Sequence, residues 1–440
     1  MDSLYAFSQL YDKLYTYADK IALVDGGEEH SYKLFCDDIK KVLGRLDSLT
    51  GEYVYIGCDN KYCFSVAFFA TVLSGNIAVL GTHLATPPVY CKHTLDSARI
   101  FEFITTPQCG SVTAKQNEGV AIVLFSSGTS STPKAVALTQ RNVLADMCSG
   151  VRQYRFSFDD RLLNILPLTH AFGLVCDLLA SLYVGATLYF SYDPIDFFIK
   201  LPVVSPTLLN VPPGIVTVIL QRLKASPRQS VVGTSLKKIL SGGAATPESM
   251  SVEAAKYNIF LTACYGATEC SPCITVNADD HYKLGSCGYA LDCNEILITP
   301  EGIIVIRGEN VFRGYLQDDG KLIENTDGCF ISNDIGYIDE DGFLYVSGRA
   351  DDLMVLPDGN KIMPQRFEEQ IEQLTQGIEC TVYAEGNDIC ALIHVEGVYD
   401  SEQLSAKIAA LEYANHKISR IIFTDTPLLR NELGKLCRKK

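Results

Sequence analysis

The stretch LFSSGTSSTPKAV (residues 124–136) runs an apolar strand into a cluster of hydroxyls, one glycine, a proline and a lysine. These residue types suit an anion. Gly128 lets the backbone turn so that N–H groups converge, Ser126, Ser127, Thr129, Ser130, Ser131 and Thr132 offer hydroxyl donors, and Lys134 supplies charge. The spacing is not G-x-x-x-x-G-K-[ST], because only one glycine is present and Pro133 precedes the lysine. Taken alone, the stretch fits a phosphate cradle and a solvated Ser/Thr-rich turn equally well.

Four further stretches carry side chains capable of chemistry. ILPLTHAFGL (165–174) ends a strand in a turn with proline and His170, and SGGAATP (241–247) is a small-residue turn after the strand KKIL. CYGATECSP (264–272) sets an aromatic, a glycine, a threonine and a glutamate side by side. NDIGYIDEDGFLYVSGRADD (333–352) holds Asp334, a turn at Asp341-Gly342, and Arg349 flanked by acids. Each has a plain structural reading: a lone histidine is commonly a hydrogen-bonded structural residue, Asp-Gly is turn chemistry, and the terminal GKLCRKK is a charge run.

Bulk properties narrow the classes. At 440 residues, with 47% hydrophobic and 20% charged residues, the chain reads as a soluble globular protein of at least two domains. A formal charge of −15 argues against sequence-independent nucleic-acid binding, which needs basic surface, but leaves room for an anionic ligand in a local pocket. No apolar leader opens the chain and no run of about 18 apolar residues appears, so a membrane span is not expected. The 16 cysteines then point to a reducing, cytoplasmic setting with free thiols. Cys270 and Cys273 form a C-x-x-C with no second pair at zinc-finger spacing, and read as small core residues.

The elements that must position these groups alternate. Apolar spacing from Tyr32 to Leu46 predicts an amphipathic helix, YVYIG (53–57) a buried strand, FSVAFFATVL (64–73) a buried helix, and IAVL (77–80) another strand. The alternation continues through AIVLF (121–125), a helix from about Asn142, a strand at 162–166, a helix at 175–184 and the strand ATLYF (186–190). This β-α-β order predicts an α/β fold with a helix-covered parallel sheet. Strand-like runs follow at 295–298, 303–307 and 343–347, and a helix with Phe367, Ile371 and Leu374 on one face begins after Gly359. The punctuation at 347–359 places a domain boundary at Asp351, giving 1–350 and 351–440.

In order and spacing these motifs resemble the adenylate-forming superfamily of acyl-CoA synthetases, luciferase-type enzymes and peptide-synthetase adenylation domains. The resemblance runs from IALVDGGEEHSY (21–32) to LGKLCRK (433–439), and its most specific parts are SSGTSSTPKAVALTQRNV (126–143), YGATE (265–269) and SGRADD (347–352). Within the superfamily the chain looks most like the fatty acyl-CoA and acyl-carrier ligases. The resemblance implies a large N-terminal domain of two helix-covered, mostly parallel sheets plus a distorted β-barrel, and a small α+β C-terminal lid. It implies ATP and Mg²⁺ as cofactors, and CoA or the phosphopantetheine of a carrier protein as acyl acceptor.

The resemblance also implies residue roles. Ser126 to Thr132 and Lys134 would hold the β- and γ-phosphates. Gly242, Gly243 and Ala244 would line the adenine site, with Tyr265 stacked on the purine and Gly266 and Ala267 beside it. Thr268 would bond the α-phosphate and Glu269 would ligand Mg²⁺. Asp334 and Arg349 would hold the ribose, Arg349 with a second option of phosphate. Lys435 would bridge the attacking carboxylate and the α-phosphate, and Asp351 would be the hinge for a second state that Lys361 contacts. His170, Phe172, Asn210, Pro213 and Cys264 would form the acid pocket.

The chain departs from the family pattern at Ser130-Ser131, at Ala135, where a glycine is usual and whose loss would stiffen the loop, and at Asn333. Amino-acid-activating relatives carry an aspartate at the position that Phe172 occupies, so an α-ammonium group would lack a partner and a fatty or other non-amino acid is expected. Two alternatives stay open: an amino-acid-adenylating enzyme of the same fold, and a relative that binds nucleotide or acyl-AMP without turnover.

Overall fold

The structure is a computed structural model that describes residues 4–81, 86–106, 114–115, 117–126, 133–356, 359–375, 378–386, 388–395, 400–413 and 415–429. Ser127, Gly128, Thr129, Ser130, Ser131, Thr132 and Lys435 lie outside the described residues.

The apolar runs form two large sheets. One has nine strands in the order 289–290, 273–276, 260–266, 238–241, 208–211, 161–164, 187–190, 21–25 and 28–31. Its six central strands are all parallel, and antiparallel strands close both edges. The second has seven strands in the order 322–324, 314–316, 134–139, 120–126, 77–80, 53–56 and 93–95. It is parallel from 120–126 through 93–95 and antiparallel beyond, because 120–126 and 134–139, successive in the chain, pair antiparallel. A four-stranded sheet in the order 294–298, 303–308, 329–338 and 344–349 occupies the place of the expected barrel.

Two compact units emerge. One comprises Met1–Ile296, Ile306–Phe330 and Glu340–Leu344; the other comprises Leu297–Val305, Ile331–Asp339 and Tyr345–Lys440. In the second, helices Pro364–Thr375 and Ser401–Ala409 accompany the three-stranded sheet of 380–385, 388–394 and 420–424, with Phe367, Ile371, Val382 and Ile393 fully buried in its core. This is the small α+β module the sequence leads one to expect.

Helix Lys61–Leu73 is buried on every side from Tyr62 onward, which explains its largely apolar sequence. Helix Gln140–Tyr154 starts two residues before the expected Asn142. Thr139 accepts from the Asn142 backbone at 3.1 Å while the Asn142 side chain accepts from the Thr139 N–H at 2.9 Å, a reciprocal cap that fixes the first turn. The helix expected at 175–184 begins earlier, as a π-helix over Phe172–Leu179 that passes into an α-helix over Ala180–Val184.

Two constraints account for that wide turn. A Cβ on Gly173 would fall 2.4 Å from the Pro167 carbonyl oxygen, so only glycine lets the helix start against the preceding turn. Further along, Asp177 is pinned by buried amides: Asn164 Nδ2 donates to its Oδ2 at 2.6 Å and Asn210 Nδ2 to its Oδ1 at 2.7 Å. Lys61 Nζ donates to Asn164 Oδ1 at 2.6 Å, to the Leu166 carbonyl at 3.1 Å and to the Ser191 carbonyl at 2.8 Å. A relay of Lys61, Asn164, Asp177 and Asn210 thus ties three strand ends to the helix that carries Phe172.

Burial pushes the Asp177 carboxyl up to about 7, against the opposing pull of the Asn164 and Asn210 amides and of Lys61. Burial likewise lowers Lys61 to about 8. A raised carboxyl pKa means that the folded state keeps a proton that the unfolded state loses near pH 4, so this contribution is complete below about pH 4 and is lost as pH rises through about 7. Lys61 acts in the opposite sense and only above about pH 8. In urea unfolding, the wild-type stability relative to Asp177→Asn is therefore expected to fall between about pH 4.5 and 7.5, by up to about 4 kcal/mol at ~1.4 kcal/mol per pKa unit. A difference independent of pH in that window would show that Asp177 does not hold the proton.

Candidate active site

The large unit gathers most of the expected site at the ends of its strands. Ser126 closes strand 120–126 and pairs with Lys134, which opens strand 134–139. Ser126 is buried, and its hydroxyl has no hydrogen-bond partner among the described residues. An orphaned hydroxyl at the mouth of a hydroxyl-rich loop has the chemistry to meet an anion. Ala135 lies within the sheet, paired with Phe125 on one side and Leu316 on the other. The stiffening expected from it therefore falls on a central ladder and not on the loop.

The turn after strand 238–241 builds a flat slot. A Cβ on Gly242 would sit 2.8 Å from Cys264 Sγ and 3.1 Å from the Phe172 ring, so the residue must be glycine for these three to pack. Gly243 has φ +83 with nothing within 4 Å of a Cβ, so backbone conformation and not space is what favours glycine there. Gly243 and Ala244 are exposed, and Thr246 Oγ1 donates to Ser241 Oγ at 2.8 Å to close the turn.

Strand 260–266 carries Cys264, Tyr265 and Gly266 to its end, where Gly266 lies against Pro272, and Ala267 and Thr268 lead into a 3₁₀ turn over Thr268–Cys270. Glu269 in that turn is buried, and its Oε1 accepts from the Tyr315 hydroxyl at 2.9 Å. Lys134 Nζ lies 5.2 Å from the centroid of the same tyrosine ring. Burial first, and then the Glu269 charge, push the Tyr315 phenol well above its ordinary pKa, so it stays a donor. Strand 314–316 pairs with 134–139, and the Phe312 N–H donates to the Glu269 carbonyl at 2.8 Å, so one short segment braces both. Tyr315 escapes sequence reading because its partner stands 46 residues upstream and no local pattern marks it.

The acid-pocket candidates fall into two groups. Phe172 and Cys264 meet at Gly242. His170 sits in the turn before the π-helix, with its N–H on the Pro167 carbonyl and its carbonyl accepting from Leu174 N–H. Asn210 is buried and its amide is committed to the Cys176 carbonyl and Asp177, so it braces the π-helix. Pro213 opens helix 213–225.

The remaining candidates belong to the small unit. Asp334 on strand 329–338 and Arg349 at the end of strand 344–349 form an ion pair at 3.5 Å, and Arg349 Nε is buried with no hydrogen-bond partner among the described residues. Asp351 is exposed in a 3₁₀ turn over Ala350–Asp352, and Lys361 is exposed on the short strand 361–362. Among the described residues no group of three or more His, Cys, Asp or Glu is placed to hold a metal on protein ligands alone, and no helix is long and apolar enough to cross a membrane. A single buried carboxylate such as Glu269 still suits a cation that takes its other ligands from phosphate oxygens and water.

Known proteins resemble the chain in sequence and in fold. The family described as AMP-binding enzyme matches residues 84–316, more than half of the chain. A 2-succinylbenzoate–CoA ligase of Bacillus pumilus (strain SAFR-032) is 27% identical over 82% of this chain and 81% of its own length. Another of that name from Bacillus licheniformis is 26% identical over 96% of each chain. In fold, the chain resembles the O-succinylbenzoate coenzyme A synthetase of Bacillus subtilis solved with ATP and magnesium ion, at a TM-score of 0.79 and 22% identity over 97% of this chain and 98% of that one.

The Tyr315–Glu269 contact can be tested by itself. Tyr315→Phe keeps the ring under Lys134 and removes one hydrogen bond to a buried carboxylate. The expected outcome is a loss of about 1.5–3 kcal/mol in unfolding free energy, the usual worth of a bond to a charged group, read as a lower urea midpoint. An unchanged midpoint would mean that solvent replaces the phenol at no cost.

Proposed function

Because this chain belongs to the AMP-binding enzyme family, we propose that it activates a carboxylic acid with ATP, releasing pyrophosphate, and passes the acyl group from AMP to the thiol of CoA. The observation that carries this reading is the pair of opposite charges at one tyrosine, Lys134 at the ring and buried Glu269 at the hydroxyl. Next to Lys134, in register across the strands, stands the unpartnered hydroxyl of Ser126. A magnesium–polyphosphate presents both signs, so it would take the cation on its oxygens and place its metal at Glu269.

The residues divide the work. Ser126 and Lys134, with the loop between them, bind the β- and γ-phosphates. The Gly242–Ala244 turn and Tyr265 take the adenine, and Thr268 donates to the α-phosphate. Asp334 and Arg349 take the ribose, an assignment that their pairing and the free Nε of Arg349 support. Mg²⁺ at Glu269 would supply charge neutralisation on the phosphate oxygens. In the first step a carboxylate oxygen bonds to the α-phosphorus and the bond to pyrophosphate breaks. No base is required, since the nucleophile is already ionised, and positioning with charge neutralisation is the catalysis. Lys435 neutralises the oxygens of the reacting carboxylate and α-phosphate. In the second step the thiol sulfur bonds to the acyl carbon and AMP leaves. Reorientation of the small unit about Asp351, with Lys361 as a contact of the second state, would exchange Lys435 for the thiol.

The acid is of the non-amino class. Phe172 stands where an ammonium would need a carboxylate, and the acid on the same helix, Asp177, is buried and held by two amides. The names of the curated relatives favour an aryl acid over a fatty one as the starting point, and CoA as acceptor.

ATP–pyrophosphate exchange over a panel of aryl, fatty and amino acids tests the proposal. Exchange with aryl or fatty acids and none with amino acids is expected. Lys435→Ala is expected to lower that exchange about 10²–10³-fold while ATP still binds. Exchange with no acid would favour a nucleotide-binding protein without turnover, and full exchange in Lys435→Ala would remove that lysine from the reaction.

A further inference from the structure

One ammonium group in the large unit has every donor taken. Lys61 Nζ donates to Asn164 Oδ1 at 2.6 Å, to the Ser191 carbonyl at 2.8 Å and to the Leu166 carbonyl at 3.1 Å. An ammonium carries three N–H donors and no acceptor, so three oxygens saturate it. A neutral amine has two N–H groups and a lone pair, and in the same cage that lone pair must face an oxygen. The geometry therefore selects the charged form, and loss of the proton releases one of the three contacts. The longest, and so the first to yield, is the bond to Leu166.

Local helix chemistry does not ask for a cation here. Lys61 is the first residue of helix 61–73, where the helix dipole disfavours positive charge. Its backbone is nevertheless firmly based. The Lys61 N–H donates to the Tyr192 hydroxyl at 3.1 Å, that hydroxyl donates to Asp25 at 2.7 Å, and the Asn60 side chain caps the helix by accepting from the Cys63 N–H at 2.8 Å. A residue that breaks a local preference on so fixed a base marks a place where position matters.

What Lys61 holds is the segment 165–179. Through Leu166 it grips the start of the turn that carries His170, whose N–H donates to the Pro167 carbonyl at 3.1 Å. Through Asn164, whose Nδ2 donates to Asp177 at 2.6 Å, it grips the π-helix that carries Phe172. We propose that Lys61 is a positioning residue for activation of the acid: its ammonium clamps both ends of this segment, and the acid step weakens as the ammonium loses its proton. What the segment does rests on the acid–thiol ligase reading; the clamp itself does not.

The charged and titratable groups that face Lys61 are Asp177 on the π-helix, Asp25 on strand 21–25, Asp196 and Lys200 on helix 194–204, and Tyr192, whose phenol burial keeps protonated. Burial is the largest influence and lowers Lys61 to about 8, against the pull of Asp177, Asp25 and Asp196. An unfolded lysine keeps its proton to about pH 10.4, so above pH 8 this group makes global stability rise with pH, because the cost of burying the charge is relieved. Activity that falls there without a fall in stability thus separates release of the clamp from unfolding.

Pyrophosphate exchange with phenylacetate and with octanoate, run on the full chain from pH 6.5 to 10, reads the chemistry. Hydrogen–deuterium exchange of the substrate-free chain reads the clamp. In wild type, acid-dependent exchange is expected to drop about tenfold in one step centred near pH 8 and then level off, the worth of roughly one hydrogen bond, with no drop in urea midpoint. Amide protection over 165–175, corrected for the intrinsic rate, is expected to fall by a similar factor. Lys61→Met is expected to lower kcat/KM for the acid at least about tenfold at pH 7, with KM for ATP within about twofold and no step. Lys61→Arg keeps the charge and is expected to recover part of that loss and remove the step below pH 10. Asp177→Asn is expected to keep the step. A step that persists in Lys61→Arg, or wild-type protection independent of pH, would overturn the proposal. So would a loss in Lys61→Met that tracks the folded fraction and raises KM for ATP equally; should that variant not fold, wild type and Lys61→Arg decide. Protection that shows the step, with no exchange for either acid, would support the clamp and count against the ligase reading.

Discussion

A carboxylate that is to meet a magnesium–polyphosphate must be kept from collapsing onto the lysine that holds the same phosphates. Under the function proposed, Tyr315 serves this end: it gives its hydroxyl to Glu269 and its ring face to Lys134. The arrangement depends on register: strand 314–316 sits beside 134–139, and a slip of one residue would turn Tyr315 to the opposite face of the sheet. The phosphate end proposed for the site therefore depends on sheet pairing.

The acid end rests on a different device. Lys61, Asn164, Asp177 and Asn210 form a buried polar relay joined by short hydrogen bonds, and such a network rigidifies the elements that it joins. It holds the strand ends at 164, 191 and 210 to a π-helix, and so sets Phe172 against Gly242 and Cys176 against Cys273. Catalysis by positioning needs walls of this kind, because small displacements of the reacting carboxylate cost rate directly.

Much of this was legible in the sequence, and the exceptions have physical causes. Runs such as IAVL and AIVLF announce their strands because burial on both faces leaves no polar alternation to misread. The motif at 264–269 and the glycines at 242 and 243 could be placed at strand ends because turns demand special residues. The π-helix was not legible, since FGLVCDLL is apolar but for Asp177 and has no period from which its pitch can be read. Helix 140–154 begins early through a cap that uses Asn142 in place of the more familiar Glu or Gln. Tyr315 meets a partner 46 residues away in the chain, which no local window contains. The parallel order inferred for the second sheet holds for only part of it, because strand 134–139 pairs antiparallel with 120–126.

The central claim is that the acid's own oxygen attacks the α-phosphorus. The most direct measurement uses an acid that supports exchange, labelled with ¹⁸O in its carboxylate, together with magnesium–ATP and CoA, and follows the label by mass spectrometry. The account predicts one labelled oxygen in each AMP formed, with unlabelled pyrophosphate. Label in inorganic phosphate alongside ADP, or AMP carrying no label, would contradict it.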